Sequence, residues 1–97
     1  SPATAPQDKQ RELHRIFDRA EASVAGDAER LRRVRHARLT LDFATLRLRP
    51  PAVELAAVAD RYRRTWNEQI DLRAEPGMKE QLRLRVEEDL SDLLPAY

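Results

Sequence analysis

The feature that most constrains this chain is the scarcity and placement of its helix breakers. Only two glycines occur in 97 residues. The strong interruptions fall at Gly26-Asp27, Pro50-Pro51 and Pro76-Gly77. Sandwiches and barrels need frequent tight turns, and those turns usually need more glycine than this. The segments between the breaks are rich in Ala, Leu, Arg and Glu, which are favourable helix formers. The spacing therefore predicts an all-α fold of a few long helices.

Residues 1–6, SPATAP, carry two prolines among small residues and read as a linker-like N-terminal segment. Residues 7–97 are expected to form a single helical domain. Helix one is expected over residues 6–25, with Pro6 in the first turn, where its missing N–H costs little. Leu13, Ile16, Phe17, Ala20 and Val24 follow helical spacing and predict one core-facing stripe. Gly26 is expected to stop this helix in the left-handed conformation, and Asp27 to cap the next one. So short a link predicts an antiparallel pair.

Helix two is expected over residues 28–49. Its second half contains Leu39, Leu41, Phe43, Leu46 and Leu48, which include a period-two alternation compatible with a strand. A lone strand would have no partner, so the helix is preferred. It is then apolar on two sides, through Leu39, Phe43 and Leu46 and through Leu41, Ala44 and Leu48. Such a segment is either central or docked on another body. Helix three is expected over residues 52–72, with Leu55, Val58 or Ala59, Tyr62, Trp66 and Ile70 as its stripe. Helix four is expected over residues 78–90, through Met78, Leu82, Val86 and Leu90, with a partly ordered tail after it. The expected architecture is a small antiparallel helical bundle of three main helices plus a shorter fourth.

A chain of this length buries roughly two-thirds of its unfolded surface, enough for one core. Charged residues make up 36% of it, but eighteen bases meet seventeen acids, for a net charge of +1. That balance argues against nucleic acid, whose binders show a basic excess. Sixteen of the bases are Arg, which reflects either codon bias or a phosphate-binding surface. No apolar run approaches the roughly 20 residues that span a bilayer, so no membrane partner is expected. The absence of cysteine excludes a disulfide framework and a thiolate zinc site, and it leaves the compartment open.

The search for chemistry yields no catalytic, cofactor or metal residues. His14 and His36 lie on different helices, whereas zinc needs three or four convergent ligands. Most acids have an Arg three or four residues away, as Asp8 has Arg11, Glu12 has Arg15 and Glu29 has Arg33. That is the pattern of a solvated, ion-paired face, not of two carboxyls facing across a glycosidase cleft. Glu87, Glu88 and Asp89 are adjacent and point in different directions on a helix. There is no glycine-rich phosphate loop and no nucleophile elbow. The basic run at residues 30–38 holds five Arg, spread around a helix rather than gathered on one groove-reading face. Tyr62 and Trp66, one turn apart, suit either a stacking platform or the core. Leu39, Phe43, Leu46, Tyr62 and Trp66 are thus the candidate interface or ligand-rim residues.

Residues 13–48, LHRIFDRAEASVAGDAERLRRVRHARLTLDFATLRL, resemble the C-terminal helical region of bacterial glycoside-hydrolase-like proteins distantly related to α-glucuronidases and β-hexosaminidases. The resemblance rests on the FDRAE helix, the Gly-Asp break, the RVRHARLTLDF entry into a long helix, and the later YRRTW of Tyr62 to Trp66. It implies that catalysis belongs to a (β/α)₈ barrel upstream. No catalytic residue is carried onto this chain, and Arg33, Arg35, Arg38 and Asp42 become structural ion pairs. The implied role is a non-catalytic accessory or scaffolding module, whose partner is the remainder of a larger polypeptide and whose rim meets carbohydrate. Two other readings stay open. One is a domain that interacts with proteins or self-associates through helix two; the other is an Arg-rich nucleic-acid-binding domain.

Overall fold

A computed structural model describes residues 5–94. Four α-helices follow in order: α1 (Ala5–Ser23), α2 (Ala28–Arg47), α3 (Ala52–Arg73) and α4 (Lys79–Leu93). A 3-10 turn, Pro76–Met78, leads into α4. The fold is all-α, as the breaker pattern predicts, and the alternating stretch from Leu39 lies inside α2. Residues 1–4 of the linker-like segment and residues 95–97 of the expected tail lie outside the described residues. Pro6 lies in the first turn of α1 as expected, Ala5 of the linker-like segment also falls within that helix, and α4 continues through Leu93 into the expected tail.

The breaks show how local chemistry ends each helix. The Asp27 carboxylate accepts the Arg30 backbone N–H at 3.1 Å, the expected cap of α2. Gly26 departs from expectation, because no described glycine has a positive φ. The Val24 N–H donates to Glu21 O and the Asp27 N–H to Val24 O, so the chain leaves α1 through tight right-handed turns. A Cβ on Gly26 would meet open space. Gly26→Ala is therefore expected to stabilise the fold by about 0.4–1 kcal/mol, by restricting the unfolded chain. A higher urea midpoint checks this; a lower one would show that the glycine is required.

The left-handed residue is instead Arg49, with φ 51, just beyond α2. Its N–H donates to Leu46 O at 3.2 Å, closing the helix end before the two prolines. The Cβ of a non-glycine residue is crowded in this conformation. Arg49→Gly is expected to gain ~0.5 kcal/mol, read as a raised melting temperature.

Cross-helix pairs establish the antiparallel order. His14 and Glu21 of α1 meet Thr45 and Arg35 of α2. Arg32 and Asp42 of α2 meet Glu68 and Arg61 of α3. Arg63 and Asp71 of α3 meet Glu87 and Arg83 of α4. Each helix packs mainly on its neighbours in sequence. The bundle is therefore flattened, with extents of 48 × 35 × 18 Å. Its radius of gyration is 14.5 Å, above the about 12.5 Å expected for a compact domain of this length.

The core is built by Leu39 and Leu46 of α2, Leu55, Val58, Ala59, Tyr62 and Ile70 of α3, and Val86 and Leu90 of α4. Among its described side chains, residues 6–23, helix α1 contributes none that is fully buried. Its expected core stripe stays at the surface, with Leu13 and Ile16 46% and 47% exposed, and Phe17, Ala20 and Val24 half-buried. At 100° per residue, the face centred on His14, Phe17 and Glu21 lies about a quarter-turn round from that stripe. The first of these faces docks, because α2 offers a buried guanidinium and carboxylate there.

Candidate functional site

Three helices converge on one buried polar cluster. Asp42 is fully buried and Arg38 is 2% exposed. Arg61 of α3 grips Asp42 with two bonds, Nη2 to Oδ1 at 2.7 Å and Nε to Oδ2 at 3.0 Å. Arg38 pairs with Asp18 at 2.8 Å and, in a very short contact, with Glu21 of α1. Its guanidinium carbon also lies 5.8 Å from the centre of the Phe17 ring, a cation–π distance.

His14 sits at the centre of this cluster. Its Nδ1 lies 3.0 Å from Arg38 Nη2 and 3.4 Å from Arg61 Nη2. Guanidinium groups only donate, so Nδ1 accepts and the ring proton is on Nε2. Nε2 then donates to Thr45 Oγ1 at 2.8 Å, and Thr45 donates to Leu41 O. Thr45, His14 and Asp42 superficially suggest a nucleophile–base–acid triad. The tautomer is the wrong one, because a triad needs Nδ1–H aimed at the acid and a free Nε2 to take the hydroxyl proton. The adjoining space beside His14 and Thr45 is about 10 Å³, room for roughly one water. The cluster is arranged to hold α1 on α2 and α3.

Burial holds the His14 imidazole below its ordinary pKa, and the Arg38 and Arg61 charges add to this, against an opposing contribution from Asp42 and Asp18. The folded state thus binds the proton less readily than the unfolded chain does. The unfolded state takes up more protons as pH falls through about 6.5, so stability falls there and stops falling below the folded-state pKa. A lower urea midpoint at pH 5.5 than at pH 7.5 is expected. His14→Gln should remove that part of the slope; an unchanged slope in the variant would place its origin elsewhere.

The five candidate interface residues separate in space. Leu39, Leu46 and Tyr62 are core residues and have no surface to offer a partner. The reason is that the Leu39–Leu46 side of α2 faces α3, where Leu55, Val58 and Tyr62 close over it. Phe43 remains 37% exposed and lies 6.3 Å from the Tyr62 ring, centre to centre. Trp66 is half-buried and meets Tyr62 edge-on, at 6.4 Å and 73°. With Tyr62 buried and the two rings edge-on, the pair does not present the adjacent free faces of a stacking platform.

The basic run is neutralised. Arg30 pairs with Asp27, Arg32 with Glu68, Arg33 with Glu29, Arg35 with Glu21, and Arg38 with Asp18 and Glu21. Two of these are local pairs of the expected kind; the others cross between helices, which spacing along the chain does not reveal. Among the described residues, no group of three or more His, Asp or Glu is placed to hold a metal ion.

A surface concavity of about 390 Å³ lies along α3 between α2 and α4. Trp66, Ile70 and Val86 form its apolar floor, with Leu82 beside them. Arg73 stands at the α3–α4 turn, and His36 of α2 and Arg85 and Asp89 of α4 line the rest. Sequence reasoning placed Trp66 on a rim but missed the groove, because its walls come from three helices.

No protein-family model matches the chain, and no curated protein or solved structure shows significant similarity to it. No described helix is long and apolar enough to cross a membrane.

Proposed function

We propose that this chain is a non-catalytic packing module of a larger carbohydrate-active polypeptide, seated by the outer apolar face of α1. The observation that carries the reading is the exposure of Leu13 and Ile16 on a helix attached to the rest of the domain through charge. An amphipathic helix normally turns its apolar stripe toward the core. Here the stripe is left for another body, and Leu48 at the end of α2 is exposed as well. The resemblance of residues 13–48 to the helical region that follows a sugar-processing barrel is the ground for assigning that body to the remainder of the same polypeptide.

The test uses the product of the whole open reading frame. A photoreactive residue in place of Ile16 is expected to crosslink to residues outside 1–97. One in place of Val53, which is 86% exposed, is expected not to. Crosslinks from position 16 only to a second copy would overturn the reading in favour of self-association, and glycosidase turnover by the 97-residue chain would overturn its non-catalytic part.

A further inference from the structure

The apolar core is built by α2, α3 and α4, and no described side chain of α1 belongs to it or to the half-buried apolar groups packed on it. Polar contacts attach α1 instead. Gln7 reaches Leu48 O, Arg11 reaches Glu54, Asp18 binds Arg38, and Glu21 binds Arg35 and Arg38. Segments with few buried apolar contacts open more readily than the whole domain unfolds. At the centre of these contacts the His14 Nδ1 accepts from Arg38 and Arg61 at once. That pattern exists only while the ring is neutral. A protonated imidazole donates from both nitrogens, and its Nδ1–H would face two guanidinium groups that also only donate. No nearby carboxylate is free to accept it. Asp42 Oδ1 is 3.9 Å from Nδ1, beyond hydrogen-bond distance, and Arg61 already grips it. Asp18 and Glu21 are engaged by Arg38. Arg11 and Glu54, beside the same small space, pair with each other.

We propose that α1 is a proton-sensitive arm: it opens from α2 and α3 as a unit while α2, α3 and α4 stay packed, and a proton on His14 promotes the opening. Docking holds the imidazole neutral, because both bonds to Nδ1 come from fixed positive charges. Burial of the docked ring acts in the same direction. Once α1 swings away, the ring meets water and binds its proton at the ordinary pKa of about 6.5. The open state thus takes up a proton that the docked state refuses. Docking weakens as pH falls through about 6.5, and stops weakening below the pKa of the docked ring. A helix of this length is marginal on its own in water, so the free arm loses protection along its length. This device concerns the inner face of α1, and its failure would leave the assignment of the outer face standing.

Native-state hydrogen exchange of the 97-residue chain, corrected for the intrinsic pH dependence of amide exchange, tests this. Amides in the middle of α1, residues 10–22, are expected to exchange through their own opening. That opening should be at least roughly tenfold more frequent than the one that exposes the Val58 and Tyr62 amides of α3, and less steeply dependent on urea. From pH 7.5 to pH 5.5 the α1 opening constant is expected to rise about three- to tenfold. The α3 constant should rise in parallel, because global unfolding frees the same ring. His14→Gln is expected to abolish the rise, and His36→Gln, at an exposed position, to keep it. The wild-type and His36→Gln profiles decide the question even if His14→Gln docks α1 poorly. The proposal is overturned if α1 and α3 amides share one opening constant, or if the α1 opening is the same at both pH values. It is also overturned if the rise survives in His14→Gln or disappears in His36→Gln.

Discussion

Asp42→Ala is expected to lower the unfolding free energy by about 3–5 kcal/mol, the cost of stranding buried charge. The Asp42 carboxylate is fully buried, and the two bonds from Arg61 have no substitute nearby. Arg38 Nε also lies 3.9 Å from it. Without the carboxylate, two guanidinium groups face each other across the His14 ring with only Asp18 and Glu21 to balance them. Urea unfolding followed by circular dichroism measures the loss. Asp42→Asn keeps the shape and removes the charge, so it should cost nearly as much. A loss below about 1 kcal/mol for both variants would mean that water reaches the site and screens it. The size of the expected loss is not the net contribution of the network. Replacing His14, Arg38, Asp42 and Arg61 together with apolar groups of similar volume is expected to be much less harmful than removing Asp42 alone.

Leu46→Ala is expected to cost about 2–5 kcal/mol, from lost burial and the cavity left behind. Leu46 is one of the most deeply buried side chains in the chain, on the side of α2 that faces α3. Leu48→Ala, two residues on and partly exposed, is expected to cost less than about 1 kcal/mol. The pair of variants separates the two apolar sides of α2 by measurement. Equal losses would show that Leu48 is covered in the folded protein, for instance by a second copy, and sedimentation of Leu48→Ala would then show a smaller species than wild type. A domain of this size has a total stability on the order of 5–15 kcal/mol, so either core variant removes a large share of it. Asp42 and Leu46 lie one turn apart on α2, and the double variant is expected to depart from additivity.

Much of the fold was legible along the chain. The stops at Gly26-Asp27, Pro50-Pro51 and Pro76-Gly77 mark helix ends because proline and the Asp27 cap act within a few residues. The α3 stripe through Leu55, Val58, Tyr62 and Ile70 and the α4 pair Val86 and Leu90 entered the core as their period predicted. Gly26 was misread because a glycine is permitted in the left-handed region without being compelled to enter it. The strained position fell instead on Arg49, where the chain must reverse ahead of Pro50.

The local sequence determined that this protein is helical, where its helices break and some of the pairs within one turn, as Asp8 with Arg11 and Glu29 with Arg33, though not the expected pair of Glu12 with Arg15. Those properties depend on groups a few residues apart, and their physics is complete within a segment. Only the tertiary structure decided which face of α1 docks. Its apolar stripe was outcompeted by His14, Asp18 and Glu21, because Arg38 of α2 lies buried against that helix and needs acids and an acceptor around it. The same holds for Leu39, Leu46 and Tyr62, which the packing of α3 moved from candidate surface to core. It holds also for the groove, where His36, Trp66 and Arg85 meet although they are far apart along the chain. Burial and charge pairing between helices are properties of the assembled set, and a periodicity read along one helix does not contain them.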